Sequence, residues 1–360
     1  MNKSKPSILF ISLGQYGQHK NSYKFCQYLN SYYNITYICF DKDFKKIKDD
    51  TEVIYLDSTA NPILDTFKMI KASRKLINQN NYQIVFILYF MLCSLIKFFL
   101  NSNFIVDIRT GAIDKSRLKR LKFDSMLKME VKFFKNIIVI SESLRKKFKI
   151  DAKKSTIIPL GSDILSSKKK IYKDLHLLYI GTLTQRDIHK TVYGLSKFIN
   201  ENKDKEIKIT YDIFGDGFAY ETKLLKESIE KSNLGNIVKY HGRKEHYELQ
   251  DYFDKCNIGV SFVPMTEYFD CQPPTKTFEY INSGMVCLAT NTSENRKIIN
   301  KDNGLLFDDS SDEFKNVLVK LCQNISNYKT DKIIYSINEY TWENIVERKL
   351  LPFLESCRVK

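Results

Sequence analysis

The chain has 360 residues, 43% apolar and 28% charged, without a low-complexity tract; this excludes a disordered or fibrous protein and exceeds one compact core, so two domains are expected. Its formal charge of +15 lies almost wholly in the first half: residues 1–166 hold 28 Lys and Arg against 14 Asp and Glu, residues 167–360 hold 29 against 28. Eight cysteines with no CxxC pair or regular spacing exclude a disulfide frame and a zinc site, and read as reduced thiols.

In chain order, MNKSKPSILFISLG has too short an apolar run for a signal peptide, which predicts a cytoplasmic protein. ILFIS then reads as a strand, LGQYGQHK as a glycine loop, NSYKFCQYLNSY as a helix and NITYICF as a second strand, a β-α-β opening. EVIYL continues as a strand and DTFKMIKASRKLINQ as a helix. Residues 84–100, IVFILYFMLCSLIKFFL, are apolar enough to raise a membrane span, but Lys97 interrupts them and they are slightly short. The surrounding rhythm favours a buried strand IVFILY, a helix MLCSLIKFFLNS and a strand FIVDI. A basic helical region SRLKRLKFDSMLKMEVKFFK and the strand NIIVI follow; residues 115–154 carry 14 basic and 4 acidic side chains. Such a patch attracts polyanions: lipid head groups, a phosphorylated substrate or nucleic acid.

The segment IIPLGSDILSSKKKIYKD reads as a linker, with a boundary near residue 166. Strand and helix patterns then restart with DLHLLYIG, TVYGLSKFINEN, KITYDIFGDG and AYETKLLKESIEKSN, and run on to NGLLF. The expectation is a basic first domain over 1–166, a second parallel α/β domain over 167–338, and a helical tail over 339–360 that packs back on the first. Open parallel sheets bind ligands at the carboxyl ends of their strands, so two of them predict a cleft suited to an anion.

PPTKTFEYINSGMVCLAT, residues 273–290, is the most informative stretch. Pro274 suits a first helical position and Thr275 or Thr277 a capping role. Lys276 and Glu279 share one helix face in the first turn, where a lysine and free N–H groups can hold phosphate and a glutamate can accept from ribose hydroxyls. Gly284 ends the helix and MVCLAT is a buried strand.

This stretch, followed by NGLLF and preceded by YIGTL, IFGDG, YHG, VIS and IIPLGSD, resembles the donor half of GT-B glycosyltransferases, family 4 above all, in order over residues 137–350. The resemblance implies two Rossmann-like parallel-sheet domains facing a central cleft, an acceptor-binding first domain and a nucleotide-sugar-binding second one. It implies that Glu279 binds the ribose, that Lys276 faces the diphosphate or sugar, and that Gly181 opens a loop where Arg186 and Lys190 supply charge. Gly215 and Gly217 match the glycine turn beside the nucleotide, and His241, Gly242 and Arg243 match the strand end lying against the base. Gly14 and Gly17 belong to the first domain's loop that approaches phosphate or sugar.

The chain also departs from the family. Cys271 stands where many members have a glutamate gripping the donor sugar, and Thr182 where a basic residue often follows the glycine. Asp107 and Arg109 replace a frequent histidine region, and Asp107 is the candidate catalytic contact near acceptor or sugar. The resemblance implies transfer from a nucleotide-diphosphate sugar to a lipid-linked or oligosaccharide acceptor in cell-surface polysaccharide synthesis, with retention and without a metal or other cofactor. Asp212 and Asp216 read as turn residues and not as a metal site. Lys119, Arg120, Lys122, Lys128 and Lys132 would hold an anionic membrane surface at the inner face of the plasma membrane, with Leu118, Leu121, Phe123, Met126 and Leu127 touching it. A nucleotide-sugar epimerase of the same fold and an inactive GT-B-like binding protein are the alternatives; no recognition motif supports nucleic acid.

Overall fold

The computed structural model describes residues 5–112, 114, 116–203 and 206–358. The chain forms two compact units, one of Met1–Gly161 with Trp342–Lys360, the other of Ser162–Thr341.

The first unit runs β1 (Ser7–Ile11), α1 (Lys20–Leu29), β2 (Asn34–Asp41), β3 (Glu52–Asp57), α2 (Pro62–Gln79), β4 (Ile84–Leu88), β5 (Asn103–Ile108), α3 (Arg117–Glu130), β6 (Asn136–Val139), α4 (Glu142–Phe148) and β7 (Ser155–Ile157). Its seven strands are all parallel in the order β3-β2-β1-β4-β5-β6-β7. Ile8 to Ile11 and Ile84 to Ile87 are wholly buried, which is why these strands read as unbroken apolar runs and not as alternating ones.

The second unit runs β8 (Leu175–Ile180), α5 (His189–Glu201), β9 (Ile209–Phe214), α6 (Ala219–Lys231), β10 (Val238–Tyr240), α7 (Gln250–Lys255), β11 (Ile258–Ser261), α8 (Glu267–Asp270), α9 (Thr275–Asn282), β12 (Val286–Thr290), α10 (Asn295–Ile298), β13 (Gly304–Phe307), α11 (Ser311–Asn324) and α12 (Thr330–Tyr335). Its six parallel strands are ordered β10-β9-β8-β11-β12-β13. The tail, α13 (Trp342–Ile345), a π-helical turn (Val346–Leu350) and α14 (Leu351–Arg358), belongs to the first unit. Trp342 is buried there, edge-on to Phe25 of α1 with ring centroids 6.1 Å apart.

Two local expectations are corrected. MLCSLIKFFLNS is no α-helix: only Cys93–Ile96 coils, as a 3-10 turn, between left-handed Leu92 and Phe99. The buried carboxylate of Glu130 on α3 accepts from the backbone N–H groups of Leu92 and Ser94, from the Ser94 hydroxyl and from Tyr89 Oη, and so holds the segment as a loop. Among the described residues no helix is long and apolar enough to cross a membrane. Ser155–Ile157, at the edge of the expected linker, pairs with β6 as a seventh strand.

The rest of that linker is packed onto the second unit. Leu165 N–H donates to Ser283 Oγ, Lys170 N–H to Thr330 Oγ1, and Tyr172 Oη to the Gly284 carbonyl. The buried Lys170 ammonium donates to Ser166 Oγ and to the Phe253 and Asp254 carbonyls at the C-terminal end of α7. A cation there complements the unpaired carbonyls of the helix end.

Candidate functional site

In the second sheet the chain order reverses between β8 and β11, and an open parallel sheet has its crevice at the carboxyl ends of the strands beside such a reversal. Gly181, at the end of β8, has φ +144°. Gly215, at the end of β9, has φ +140°, and a β-carbon on it would lie 1.8 Å from the Gly181 carbonyl oxygen. Only glycine lets these two backbones meet, and Gly215 N–H donates on to the Gly242 carbonyl at the end of β10. Three strand ends are thus fused into one backbone edge.

α9 is set against this edge by Tyr280. Its ring is buried over Gly259 of β11, where a β-carbon would lie 2.2 Å away, and its hydroxyl accepts from Ile180 N–H at 2.8 Å. No side chain caps α9: Pro274 is the N-cap and Thr275 the first helical residue. The expected capping by Thr277 is corrected, because its hydroxyl is buried between Ser261 Oγ (2.7 Å) and Asn295 Oδ1 (3.0 Å).

Lys276 reaches from this first turn to the Gly181 edge. Its Nζ is shielded from water without a hydrogen-bond partner, 3.8 Å from the Tyr179 ring centroid. A β-carbon on Gly181 would stand 2.9 Å from it. Arg186 lies in the turn after β8 with its guanidinium carbon 3.9 Å above the Phe269 ring, and one nitrogen donates to the Thr184 carbonyl at 3.5 Å. Neither cation forms a carboxylate ion pair among the described residues. Burial, then the charge of Arg186, push the Lys276 ammonium well below the usual lysine range, while Glu279 opposes this. Burial also lowers Arg186. Two cations held on aromatic faces beside uncapped helix N–H groups form a pocket of unspent positive potential.

The remaining predicted residues fall around this pair. Glu279 is 7% exposed on α9. Gly217 follows the Gly215 turn, where a β-carbon would press on Leu183. His241 stacks on Phe214 at 4.4 Å, and its Nε2 is 2.6 Å from Asp212 Oδ1. Asp212 is therefore a buried strand residue of β9 and not the expected turn residue. Arg243 is exposed, 3.6 Å from Asp216. Lys190, in the first turn of α5, pairs with Asp187 at 3.1 Å. Cys271 is buried at the end of α8, with Sγ near the Glu267 and Tyr268 carbonyls. Asp270 is committed to Ser293, accepting from its N–H and hydroxyl. Among the described residues no cluster of three or more His, Cys, Asp and Glu could hold a metal ion.

Sequence reasoning missed Tyr179, Phe269, Glu221 and Tyr280. Glu221 accepts from Gln185 N–H at 2.5 Å and from Phe218 N–H at 3.2 Å, so it fixes the turn bearing Arg186, where Gln185 and Asp187 are both left-handed. The aromatic supports had no signal beyond their residue type.

In the first unit the order reverses between β1 and β4. The loop after β1 holds Gly14, packed against His19, and Gly17 at φ +91°. Gln15 is wholly buried and fastens the Lys42–Phe44 turn through its amide. A cavity of about 440 Å³ opens beside these loops, lined by Leu13, Phe40, Lys42, Tyr89, Met91 and Phe123 among others. Asp107 is not in it. Its carboxylate is buried and pairs with Arg109 Nε at 2.7 Å; Arg109 donates to the Ile158 carbonyl and covers the Phe25 ring. Asp107 and Arg109 thus brace one another, while Asp107 Oδ1 and Arg109 Nη2 are buried without a hydrogen-bond partner.

The expected patch for an anionic membrane surface also divides. Lys119 lies 3.8 Å from Asp114 and Arg120 donates to the Asp114 carbonyl, both at the start of α3, with exposed Lys122 nearby. Lys128 lies in its last turn, about 13 Å of helix from Lys119, and Lys132 just beyond its end. Leu118 and Leu121 are exposed, but Leu127 is buried and Phe123 lines the cavity. Lys115 lies outside the described residues.

Residues 174–324 match the family model of glycosyl transferases group 1. No curated protein matches the chain. Among solved structures, the chain is similar to a sucrose-phosphate synthase from Thermosynechococcus elongatus (14% identity, TM-score 0.78, 99% of this chain and 100% of that one). It is similar to the lipopolysaccharide outer core galactosyltransferase WaaB (14%, 0.70, 98% and 99%). A third is the Anabaena protein HepE in complex with UDP and glucose (13%, 0.69, 98% and 100%). Two parallel units with this strand order, and similarity along the whole chain to these structures, give the chain the GT-B fold, and residues 174–324, which bear the Lys276 edge, match a glycosyl transferases group 1 domain.

Proposed function

We propose that the protein transfers a sugar from a nucleotide-diphosphate sugar, held by the second unit, to a lipid-linked glycan acceptor in cell-surface polysaccharide synthesis. The observation that carries this reading is the shielded, partnerless ammonium of Lys276 at the Gly181 edge. A buried cation without a counter-ion is a deficit that a diphosphate supplies. In this reading Lys276, Arg186 and the first-turn N–H groups of α9 stabilise the diphosphate as its bond to the anomeric carbon breaks, which is charge stabilisation by groups already in place. Glu279 takes the ribose hydroxyls, Gly215, Gly217 and Gly242 let the nucleotide approach the backbone, and His241 and Arg243 border the base. Lys190 assists at the N-terminus of α5. Thr275 and Cys271 border the sugar, where the thiol offers a smaller and less polar contact than a glutamate.

The acceptor belongs to the aromatic-lined cavity of the first unit, reached by the Gly14 and Gly17 loop. Retention at the anomeric carbon and chemistry driven by the chain's own cations complete the reading. Similarity to a protein solved with UDP and glucose and to a lipopolysaccharide galactosyltransferase supports the donor class and the kind of product. Thermal unfolding with UDP, GDP, ADP and CDP tests it: one diphosphate stabilises the protein, and Lys276→Ala and Glu279→Ala each weaken that response by about tenfold or more. Indifference of the wild type to all four sinks the reading.

A further inference from the structure

The first unit has a second cavity, of about 280 Å³, at the end of the sheet opposite the loops just described. Its walls are apolar and almost wholly buried: Val131 after α3, Ile137 at the start of β6, Phe148 at the end of α4 and Ile150 after it. Four lysines ring it, Lys128, Lys132, Lys149 and Lys154, with Asp151 as the one acid. The Asp151 carboxylate accepts from Lys153 N–H, while the four lysine side chains form no ion pair among the described residues.

Beside the ring stands an aromatic tip. Phe99 is 101% exposed at φ +62°, and Phe98 and Phe133, 41% and 44% exposed, touch at 5.6 Å. Lys97, between this tip and the cavity, donates to the Phe133 carbonyl; burial, then Lys135 and Lys154, lower its basicity. Because the strands are parallel, the segments entering β5, β6 and β7 share one end of the sheet, and they carry Phe99, Lys135 and Lys154 respectively. Protruding phenylalanines amid unpaired lysines above an apolar slot match neither a water-facing surface nor a folded core. They match the boundary of an anionic bilayer, where phosphate and hydrocarbon lie a few ångströms apart.

We propose that this cavity binds an anionic phospholipid, with its phosphate in the lysine ring, hydrocarbon of an acyl chain in the apolar slot, and Phe98, Phe99 and Phe133 in the hydrocarbon boundary. This rests on the reading that the protein works on a lipid-linked acceptor, and puts at the membrane the end of the first sheet away from the acceptor cavity.

The test is co-sedimentation of the full chain with phosphatidylcholine vesicles with and without phosphatidylglycerol. Wild-type protein sediments only with the phosphatidylglycerol vesicles. Lys128→Glu with Lys132→Glu weakens this by about tenfold or more, whereas Lys71→Glu with Lys75→Glu on α2, an equal change of charge, costs about threefold at most. Phe99→Ser weakens binding about fivefold or more with little change in its salt dependence. Equal losses in the two charge-reversal pairs, or release by millimolar inorganic phosphate, overturn the proposal: the first leaves only net charge, the second a phosphate site. Wild-type protein that ignores both vesicles also overturns it. The nucleotide response, measured on the same preparations, then shows separately whether the donor reading stands.

Discussion

A lysine ammonium shielded from water without a hydrogen-bond partner works against the stability of the protein that holds it, and Lys276 is such a group. Lys276→Met keeps the packing over Tyr179 and removes the charge, so the unliganded protein should gain ~1–3 kcal/mol while nucleotide diphosphate binding weakens ten- to a hundredfold, roughly. Thermal unfolding with and without nucleotide reads both; a variant that is destabilised and still binds would refute the role. The same residue sets a pH dependence. Arg186 repels its proton, Glu279 attracts it, and the remaining neighbours, Tyr179 and Cys287, are uncharged when buried. A bound diphosphate favours the ammonium over the free amine, so binding takes up protons wherever the free lysine has lost them, and weakens as pH rises. Calorimetry over a pH series in two buffers of different ionisation enthalpy should show uptake that grows with pH in the wild type and not in Lys276→Met.

At the scale of elements, the segment between the units titrates with α7. Burial brings Lys170 to about 8 from its usual 10.5. Below about 8 the folded protein bears the whole cost of burying the ammonium. Between 8 and 10.5 the unfolded chain holds the proton that the folded one has lost, so this contribution to stability improves as pH rises. The difference in denaturant midpoint between wild type and Lys170→Met should therefore shift in favour of the wild type across that window; a constant difference would show that Lys170 does not titrate there. Elements of this kind mark how far sequence reading reached. ILFI and IVFIL were legible as strands because both faces of a covered parallel sheet are apolar. MLCSLIKFFL was misread because a carboxylate distant in sequence, Glu130, captures its N–H groups. Lys276 was legible from its place in a first helical turn. That its support is the Tyr179 ring was not, since nothing local to either residue encodes their contact.

For the molecule as a whole, the tail decides how the first unit closes. Trp342 fills the space against Phe25 and Gly161, where a β-carbon would lie 2.6 Å from the indole. Trp342→Ala should cost the first unit ~3–5 kcal/mol and leave the nucleotide response of the second intact. Hydrogen exchange would show faster opening confined to β1 through β7; equal loosening of β8 through β13 would mean that the two units melt as one. A chain that departs after Gly161 and returns at Trp342 makes the second unit an insertion in the first. On the ribosome the contiguous Ser162–Thr341 segment can close on itself while the sheet begun earlier still lacks its final helices. The unit translated first is the last to be completed, and until then the α1 surface around Phe25 stays open to chaperones.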